Sequence, residues 1–406
     1  MTVSLWRGQP ETMQPPSKIT VCGGGNGAQA LVAVAACNLG CALDLYAPFG
    51  DEAARLRTGI AAHGGLETTG AVQAKATPRR ISADPADVIP GSEGVVLVLP
   101  AFAHEATLRQ IAPFLDRGAW VGVIPARGGF DYSAVQILET QGRGDVGLFG
   151  LQTLPWACRI QEYGQRVHIL GVKRAVDVAS RPAGRIGQIA PLLARMLGLP
   201  VDPAAGFLAL TLANTGQLIH PGIMYGLFAD WDGAPLSGAP LFYQGLDEEG
   251  ADVLADLSSD VQAIRARLES ALDLSAVRPL KDWLMHAYGR AVADSTSLRS
   301  AFTTNRAYAG LKAPVREVAP GQFVPDFGAR YLTEDVPFGL AVSRAIAALA
   351  GVETPAMDRV TAWAGENLDQ DFLGKDADQT RIPQNYGLVS LERLIAFADE
   401  RPAMGY

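Results

Sequence analysis

Short apolar runs alternate with helical stretches through the first half of the chain. The clearest run is GVVLVLP at residues 94–100, which is typical of a buried parallel strand, and residues 101–115 after it have a helical pattern. Further strand-like runs lie at residues 18–22, 42–47, 120–125 and 146–153, with two more within 165–180, and further helical stretches lie at 51–62 and 185–197. This alternation predicts an α/β fold built on a doubly wound sheet.

The second half of the chain has a different pattern. Strand-like runs disappear after Pro200, and long helical periodicities replace them at residues 204–229, 251–272, 279–293, 337–350 and 391–399. The second half is therefore predicted to be all-α, with a boundary near residues 199–206 that Pro200 and Pro203 help to mark. The predicted organisation is an N-terminal extension over residues 1–17, a doubly wound domain over 18–203 and a helical domain over 204–406.

Composition and charge exclude several classes of protein. The chain has 406 residues, of which 48% are apolar and 19% charged, as expected for a soluble globular enzyme. Its net charge of −8 argues against binding to nucleic acid or to an anionic membrane surface. Residues 1–17 lack a basic segment followed by an apolar core, and no apolar run approaches the ~20 residues of a bilayer span. A cytoplasmic protein is expected.

The cysteines predict neither disulfides nor a metal site. Four cysteines in a chain of this length suggest reduced thiols, namely Cys22, Cys37, Cys41 and Cys158. Cys37 and Cys41 have no clustered histidine or cysteine partners with the spacing of a zinc site.

A glycine-rich turn follows the first predicted strand. Residues 23–28, GGGNGA, fit the pattern G-x-G-x-x-A and open an apolar helix that Gly40 can end. Gly23 permits the sharp reversal of the chain, Gly25 lets the backbone approach a pyrophosphate, and Ala28 lets the helix pack closely on the strand. A turn without a ligand is the alternative, but strand, glycines and helix come in the order that dinucleotide binding requires.

The second strand bears on the choice of cofactor. It ends in Tyr46-Ala47-Pro48, and the nearest acidic residues are Asp51 and Glu52. No arginine or lysine follows immediately to hold the 2′-phosphate of NADP, since Arg55 lies further on. NAD is therefore favoured over NADP.

Five histidines are candidates for acid–base chemistry. His63, His168 and His286 are interpreted as structural, and His104 could either touch a cofactor or cap its helix. His220 precedes Pro221 within a helical pattern, and the proline is expected to kink or fray the helix there. A polar ring at such a break can face a cleft, although a buried structural histidine is the more common situation.

A second polar segment, GARYLTEDVPFG at residues 328–339, precedes a predicted helix. Asp335 lies just before the helix that Pro337 marks, where an ionised carboxylate is favoured. Taken locally, Asp335 would simply cap that helix. Arg330 and Glu334 are four residues apart, so a surface salt bridge is the simplest role for Arg330.

Motifs along nearly the whole chain resemble those of the opine dehydrogenase family, and most of all its octopine dehydrogenase branch. The matching stretches are VCGGGNGA, PAFAHE, TLPWACRI, the HP of LIHPG, APLFYQG, PDFGARYLTEDVPFG and RIPQNYG. The resemblance implies a Rossmann-type domain joined to an α-helical opine dehydrogenase domain. It also implies the NADH-dependent reductive condensation of an α-keto acid, usually pyruvate, with the amine of an amino acid.

The resemblance also assigns roles to residues. His220 would be the catalytic acid/base, Asp335 its partner, and Arg330 would meet the cofactor pyrophosphate, which reverses the local interpretations of all three. A His near neutrality can donate a proton to the keto oxygen or to the imine nitrogen. The expected cofactor-binding residues are Gly23, Gly25, Asn26, Gly27, Ala28, Pro100 and Arg330. The expected substrate-binding residues are Arg127, Gln152, Cys158, Gly216 and Trp283. No metal is expected, and the protein should be a monomer or homodimer.

Two positions depart from the octopine enzymes. Gln152 stands where a glutamate is expected to receive the arginine guanidinium, and a neutral amide loses that charge-assisted bond. Arg127 stands where a neutral glutamine is expected, and it would add positive charge near the substrate if it faces the cleft. Both changes point to a neutral or anionic amine, such as alanine, glycine, taurine or an acidic amino acid. The competing hypotheses are a 2-hydroxyacid or ketopantoate-type reductase and a non-catalytic NAD(H)-sensing protein.

Overall fold

The computed structural model describes residues 15–400, so most of the predicted extension over residues 1–17 lies outside the described residues. The strands are β1 Lys18–Cys22, β2 Ala42–Tyr46, β3 Leu66–Gly70, β4 Ala74–Ala76, β5 Arg80–Ser82, β6 Gly94–Leu97, β7 Trp120–Val123, β8 Gly147–Leu151, β9 Trp156–Glu162, β10 Arg166–Val172, β11 Val176–Arg181, β12 Val201–Pro203, β13 Val315–Ala319 and β14 Gln322–Pro325.

The helices of the first half are α1 Asn26–Leu39, α2 Glu52–His63, α3 Pro85–Val88, α4 Ala101–Ile111, α5 Phe130–Thr140 and α6 Ile186–Leu197. Those of the second half are α7 Phe207–Ala213, α8 Gly216–Phe228, α9 Glu248–Leu268, α10 Leu280–Tyr288, α11 Leu298–Thr303, α12 Arg330–Thr333, α13 Ala341–Ala350, α14 Pro355–Leu368 and α15 Leu391–Ala398. Within residues 15–400, no helix has both the length and the apolar character needed to cross a membrane.

The main sheet has the order β12-β11-β8-β7-β6-β1-β2-β5. Its central strands β2, β1, β6, β7 and β8 are all parallel, whereas β11 runs antiparallel to β8. Because β1 lies in the middle and the chain turns outward to either side of it, the predicted doubly wound Rossmann-type sheet is confirmed. The loops that follow β1, β6, β7 and β8 consequently lie along one carboxyl edge.

The two strands predicted within residues 165–180 belong to different sheets. β10 pairs with β9 and β3 in a small sheet of order β4-β3-β10-β9, while β11 joins the main sheet. Gly164, with φ +73°, forms the turn that folds β10 back on β9. A run of strand-forming residues predicts a strand but does not specify its partner, so the sequence pattern did not show that the two strands join different sheets.

The predicted helix over residues 204–229 is two helices, and its break is not at Pro221. α7 ends at Ala213 and α8 begins at Gly216, with Pro221 inside α8. The Ala213 carbonyl accepts from the Gln152 side chain, and Asn214 Nδ2 donates to the Ala126 carbonyl at 3.2 Å. The Gln152 bond satisfies a carbonyl at the end of α7, and the Asn214 side chain holds the residue after α7 to the loop after β7. The helix therefore breaks here, and the predicted break at the His220–Pro221 pair is wrong.

The second half is not entirely α-helical. β13 and β14 form an antiparallel hairpin at residues 315–325, closed by a turn at Pro320 and Gly321. Gly321 has φ +72°, which a glycine adopts without strain. Short alternating strands around a Pro-Gly pair are typical of a hairpin, and the prediction of an all-α half overlooked this one.

One apolar core joins the sheet to the helical region. Ile137 on α5, Phe207 on α7, Ile223 on α8 and Ile346 on α13 belong to one continuous cluster of buried side chains. A second cluster holds the opposite face of the sheet, where α1 and α6 pack beside the small sheet. The helical region is therefore held tightly against the sheet. The domain boundaries at 18–203 and 204–406 stay a prediction, with β12 as the last strand before α7.

Candidate active site

Residues from four sheet loops lie at the carboxyl edge, and three of these loops contact the helical region. The glycine turn follows β1, Pro100 follows β6, Arg127 follows β7 and Gln152 follows β8. The Gly128 backbone N–H donates to the Phe338 carbonyl at 2.8 Å, which fixes the loop after β7 against the segment that carries Asp335. Open α/β sheets bind ligands in this crevice, so the topology gathers most of the predicted site residues at one place.

The glycine turn has the geometry of a dinucleotide site. Gly23 has φ +128°, and a Cβ there would lie 2.5 Å from the Val98 carbonyl oxygen. A Cβ on Gly25 would meet nothing within 4 Å, which leaves space over the start of α1. α1 has no side-chain cap and no acidic residue in its first turn, so its N-terminal N–H groups suit an anion. Ala28 is fully buried against the sheet, as close packing requires.

The other two residues of the turn pack against neighbouring segments. A Cβ on Gly27 would lie 3.0 Å from a methyl group of Val98, so this position also leaves little room for a side chain. Asn26 accepts the Ile160 N–H through Oδ1 at 2.7 Å, which fixes β9 against the turn.

Two buried polar atoms lie beside the turn without a partner among the described residues. They are Glu52 Oε2 and Tyr163 Oη, and both approach Gly24 closely. Arg55, the basic residue nearest to β2 on α2, is stacked over the Tyr163 ring and paired with Asp51 at 3.6 Å. A carboxylate and a hydroxyl suit the hydroxyls of an adenosine ribose better than a 2′-phosphate. The residues present therefore fit NAD.

His220 lies on α8 beside Asp335. His220 Nδ1 donates to Asp335 Oδ2 at 2.8 Å, and Asp335 is 1% exposed while the His220 side chain is 20% exposed. Asp335 precedes a π-helical turn at Val336–Leu340, yet its carboxylate makes no capping bond there. Gly339 allows this turn to approach α8, because a Cβ would lie 2.4 Å from Gln217 Cβ. The simple capping role that the local sequence favours for Asp335 is therefore wrong.

Aromatic side chains complete the surroundings of His220. The Tyr331 ring stacks on the imidazole at 4.2 Å between centroids, and Tyr243 Oη lies 3.2 Å from Nε2. Tyr243 is itself stacked on Tyr308 at 4.0 Å, and burial raises its pKa well above the usual value. Sequence reasoning missed Tyr243, although it lies in the matching stretch APLFYQG. With Nδ1 held by a carboxylate, Nε2 is the atom available for proton transfer.

Arg127, Glu334 and Arg330 form an ion-pair cluster next to this pair. Arg127 Nη1 lies 2.5 Å from Asp335 Oδ1, and Arg127 Nε donates to Glu334 Oε1 at 3.2 Å. Arg330 donates to Glu334 Oε2 at 2.5 Å, and the Ala101 N–H, directly after Pro100, donates to Glu334 Oε1 at 3.1 Å. The sequence suggested that Arg127 would add positive charge near the substrate if it faced the cleft. In the structure its charge is compensated by the carboxylates of Glu334 and Asp335.

The carboxylate at the centre of this cluster is held in its ionised form. Burial alone would raise the pKa of Glu334, but the cations of Arg127 and Arg330 outweigh it and lower the pKa to about 2. The pairing of Arg330 with Glu334 that the sequence spacing predicts is present, with Glu334 buried and Arg330 56% exposed.

Two of the predicted substrate residues, Gln152 and Trp283, contact each other, whereas Cys158 lies in the other apolar cluster. Gln152 is buried and donates through Nε2 to the Ala213 carbonyl, while its Oε1 accepts from Trp283 Nε1 at 3.2 Å. Cys158 lies on β9 in the core of the first domain, and burial raises its thiol pKa to about 11.

Gly216, at the start of α8, lies beside Arg127 and His220. A Cβ there would lie 3.0 Å from Arg127 Nη1 and 3.7 Å from His220 Cε1. Any side chain at this position would therefore displace the Arg127 guanidinium.

The remaining histidines lie away from the site's acid–base pair. His104 is buried, and its Nε2 donates to the Leu99 carbonyl at 3.0 Å. Burial lowers the pKa of His104 to about 3, so the ring is neutral. His63 pairs with Glu67 at 2.8 Å, and His168 Nδ1 lies 3.1 Å from a threonine hydroxyl.

One group of residues in the described part of the chain has the spacing of a metal site. Ligand atoms of Asp177, Asp202 and His286 lie within 4.8 Å of one another. The Arg278 guanidinium, however, already pairs with Asp177 at 2.8 Å. We interpret the group as an ion-pair cluster.

Comparison with known proteins places this geometry in a family. Residues 203–368 match the model of the NAD/NADP octopine/nopaline dehydrogenase α-helical domain. An octopine dehydrogenase of Mizuhopecten yessoensis is 37% identical over 399 residues, covering 93% of this chain and 98% of the relative. A tauropine dehydrogenase of Arabella iricolor is 34% identical and covers 93% of this chain and 99% of the relative.

Solved structures give the same result. Octopine dehydrogenase with NADH and L-arginine matches with a TM-score of 0.82 at 33% identity, over 96% of this chain and 99% of that one. Its complex with NADH and pyruvate matches with a TM-score of 0.80 at 33% identity, over the same shares. The chain therefore belongs to the opine dehydrogenase family and is an NAD-dependent oxidoreductase.

Proposed function

We propose that the protein reductively condenses an α-keto acid, most simply pyruvate, with the amine of an amino acid to form a secondary-amine dicarboxylate, and catalyses the reverse oxidation. The observation that carries this proposal is the His220–Asp335 pair, with Nδ1 held by a carboxylate at 2.8 Å and the ring at the carboxyl edge of a dinucleotide-binding sheet. The octopine dehydrogenase relative solved with NADH and pyruvate supports the choice of keto acid.

The proposed chemistry assigns the proton transfers to His220. Condensation releases water from the keto carbon, and protonation of the departing oxygen and of the imine nitrogen makes each step easier. His220 donates these protons from Nε2, and Asp335 stabilises the imidazolium in the interval. When bound, NADH supplies the hydride that reduces the imine carbon. Tyr331 and Tyr243 hold the imidazole in place through stacking and a hydrogen bond.

The proposed cofactor site runs from the glycine turn to Arg330. The open space over Gly25 and the N-terminus of α1 would hold the pyrophosphate, and the exposed part of the Arg330 guanidinium would reach it from the helical region. Glu52 disfavours a 2′-phosphate, so NADH should be preferred to NADPH. We place the reaction in the cytosol, in a monomer or homodimer, where the four free thiols stay reduced.

The proposed amine is neutral or anionic rather than arginine. Gln152 carries no charge, and both ends of its amide are already engaged by Ala213 and Trp283. A guanidinium entering there would lose its water without gaining a carboxylate partner, which typically costs on the order of 1–3 kcal/mol. Alanine, glycine, taurine and the acidic amino acids carry no such cation. The tauropine dehydrogenase relative is consistent with such an amine.

A screen of amines tests the proposal. NADH oxidation is followed with pyruvate plus L-alanine, glycine, taurine, L-aspartate or L-arginine, and the condensation product is identified by mass spectrometry. We expect oxidation to require an amine and to be slowest with arginine. Oxidation with pyruvate alone, yielding lactate, would instead indicate a 2-hydroxyacid dehydrogenase. NADH binding without turnover of any pair would indicate a sensing protein.

A further inference from the structure

A line of alternating charges connects the proposed cofactor residue to the proposed acid/base. It runs from Arg330 through Glu334, Arg127 and Asp335 to His220, with 2.5, 3.2, 2.5 and 2.8 Å between successive partners. Glu334 and Asp335 are each 1% exposed and the Arg127 side chain is 11% exposed. Because these pairs are shielded from water, a change in one pair is felt strongly by the next.

Each carboxylate in this line is shared between two partners. Glu334 binds Arg330 and Arg127, and Asp335 binds Arg127 through Oδ1 and His220 through Oδ2. The more closely Arg127 neutralises Asp335, the less Asp335 can stabilise a protonated His220. Arg127 can occupy this position because residue 216 is a glycine, since a Cβ there would lie 3.0 Å from Nη1.

Arg330 is the most exposed member of the line. The Arg330 side chain is 56% exposed, so an anion at the carboxyl edge can draw it away from Glu334. Glu334 would then keep one cation, Arg127, and attract it more strongly. Asp335 would be released from Arg127 in proportion, and its charge would favour the protonated form of His220.

We propose that Arg127 and Glu334 are positioning residues that couple anion binding at Arg330 to protonation of His220. NADH binding would then place on His220 the proton that the reduction consumes. The inference rests on the proposed function for the identity of the anion. The alternating charges determine the direction of the coupling. Drawing the Arg330 cation away from one end of the line favours a positive charge on His220 at the other end. The groups that face His220 are Asp335, Tyr243 and Tyr331, with Arg127 behind Asp335.

The two tyrosines cannot replace the carboxylate in this coupling. Burial raises the pKa of both Tyr243 and Tyr331. They consequently stay neutral while His220 titrates, and Asp335 is the only anion in contact with the imidazole among the described residues.

The test is the number of protons taken up when NADH binds, without any turnover. NADH is titrated calorimetrically into the full-length enzyme in buffers of different ionisation enthalpy, at several pH values. Wild type should take up a fraction of one proton per site, and this fraction should be largest near the pH at which His220 is half protonated. The midpoint measured by NMR should rise by about one pH unit, a tenfold change in proton affinity. Binding without proton uptake would overturn the proposal.

Variants assign the uptake to the line of charges. Arg127→Gln removes the cation in the middle of the line, and Glu334→Gln removes an anion with almost no change in shape. Both break the line, so both should bind NADH with little uptake. Glu366→Gln removes an exposed glutamate of α14 and should behave like wild type. Uptake by Arg127→Gln equal to that of wild type would also overturn the proposal. If Arg127→Gln does not fold, Arg127→Lys, which lacks the fork that bridges two carboxylates, serves in its place.

The outcome is separable from the proposed function. NADH binding with proton uptake but no opine formation would leave the coupling intact and reject the reaction. Opine formation without uptake on NADH binding would do the reverse.

Discussion

Replacing Asp335 by asparagine tests the centre of the proposed site with a minimal change in shape. Asp335 accepts from His220 Nδ1 with Oδ2, and its Oδ1 forms an ion pair with Arg127 Nη1. Asparagine has only one oxygen. Because Arg127 can only donate, the amide oxygen should turn to Arg127 and the NH₂ group to His220. Nδ1 must then accept, so the neutral imidazole carries its proton on Nε2 and has no carboxylate beside it.

The expected magnitude follows from the bonds that are lost. One charge-assisted hydrogen bond is worth about 1.5–3 kcal/mol, which corresponds to roughly 10–150-fold in the stability of the imidazolium. The wrong tautomer adds to this, since the base form can no longer accept a proton at Nε2. Together these effects place the loss of kcat at ~10²–10⁴-fold, the usual contribution of general acid–base catalysis. The glycine turn is untouched, so NADH affinity should change by no more than about tenfold, which is the expected coupling between NADH and His220 and is far less than the loss of kcat.

The assay compares kcat with pyruvate and the preferred amine, and measures NADH affinity by fluorescence. His220→Ala should lose kcat on the same scale. Asp358→Asn is the matched control, because it removes a half-exposed carboxylate that is paired with Arg344 at 3.0 Å and, among the described residues, forms no ion pair with any of the proposed catalytic groups. An Asp335→Asn enzyme with kcat close to that of wild type would refute the proposed role of the pair. A loss of NADH affinity as large as the loss of kcat would show that Asp335 acts through the cofactor site instead.

Three further predictions address other parts of the molecule. Gly23→Ala should abolish NADH binding and lower the melting temperature, because its Cβ would lie 2.5 Å from the Val98 oxygen at φ +128°; unchanged binding would refute the assigned turn. Gln152→Glu should shift kcat/KM towards arginine relative to alanine or taurine by about 10–150-fold, and an enzyme already faster with arginine would contradict the proposed amine. Burial raises the pKa of Asp131 from 3.8 to about 6, so the neutral carboxyl is tolerated below pH 3.8 and ionisation destabilises the fold as the pH rises through 6. Asp131→Asn should therefore raise the free energy of unfolding by on the order of 1–3 kcal/mol at pH 8 and by little at pH 3.5, and equal effects at both values would show that the charge is not responsible.

Local patterns in the sequence were sufficient for the frame of the first domain. The strand, glycine turn and helix of residues 18–40 follow one another directly, and β1 Lys18–Cys22 and α1 Asn26–Leu39 lie where the pattern predicts them. Such elements depend on interactions between residues a few positions apart, which the sequence displays. Motifs spread along the chain were also sufficient to identify the family, because these motifs contain the site residues themselves.

The tertiary structure decided which partner each polar group takes. Asp335 lies 115 residues from His220, and Arg127 lies 207 residues from Glu334. The local sequence suggested a helix cap for Asp335, and the family resemblance suggested an added positive charge near the substrate for Arg127. The fold instead makes the two residues an ion pair. The same holds for the end of α7, where bonds from Gln152 and Asn214 to distant carbonyls determine the break. Polar and charged groups pair with the partners that the fold brings within reach. The spacing of residues along the chain therefore does not show which groups will pair when they meet only after folding.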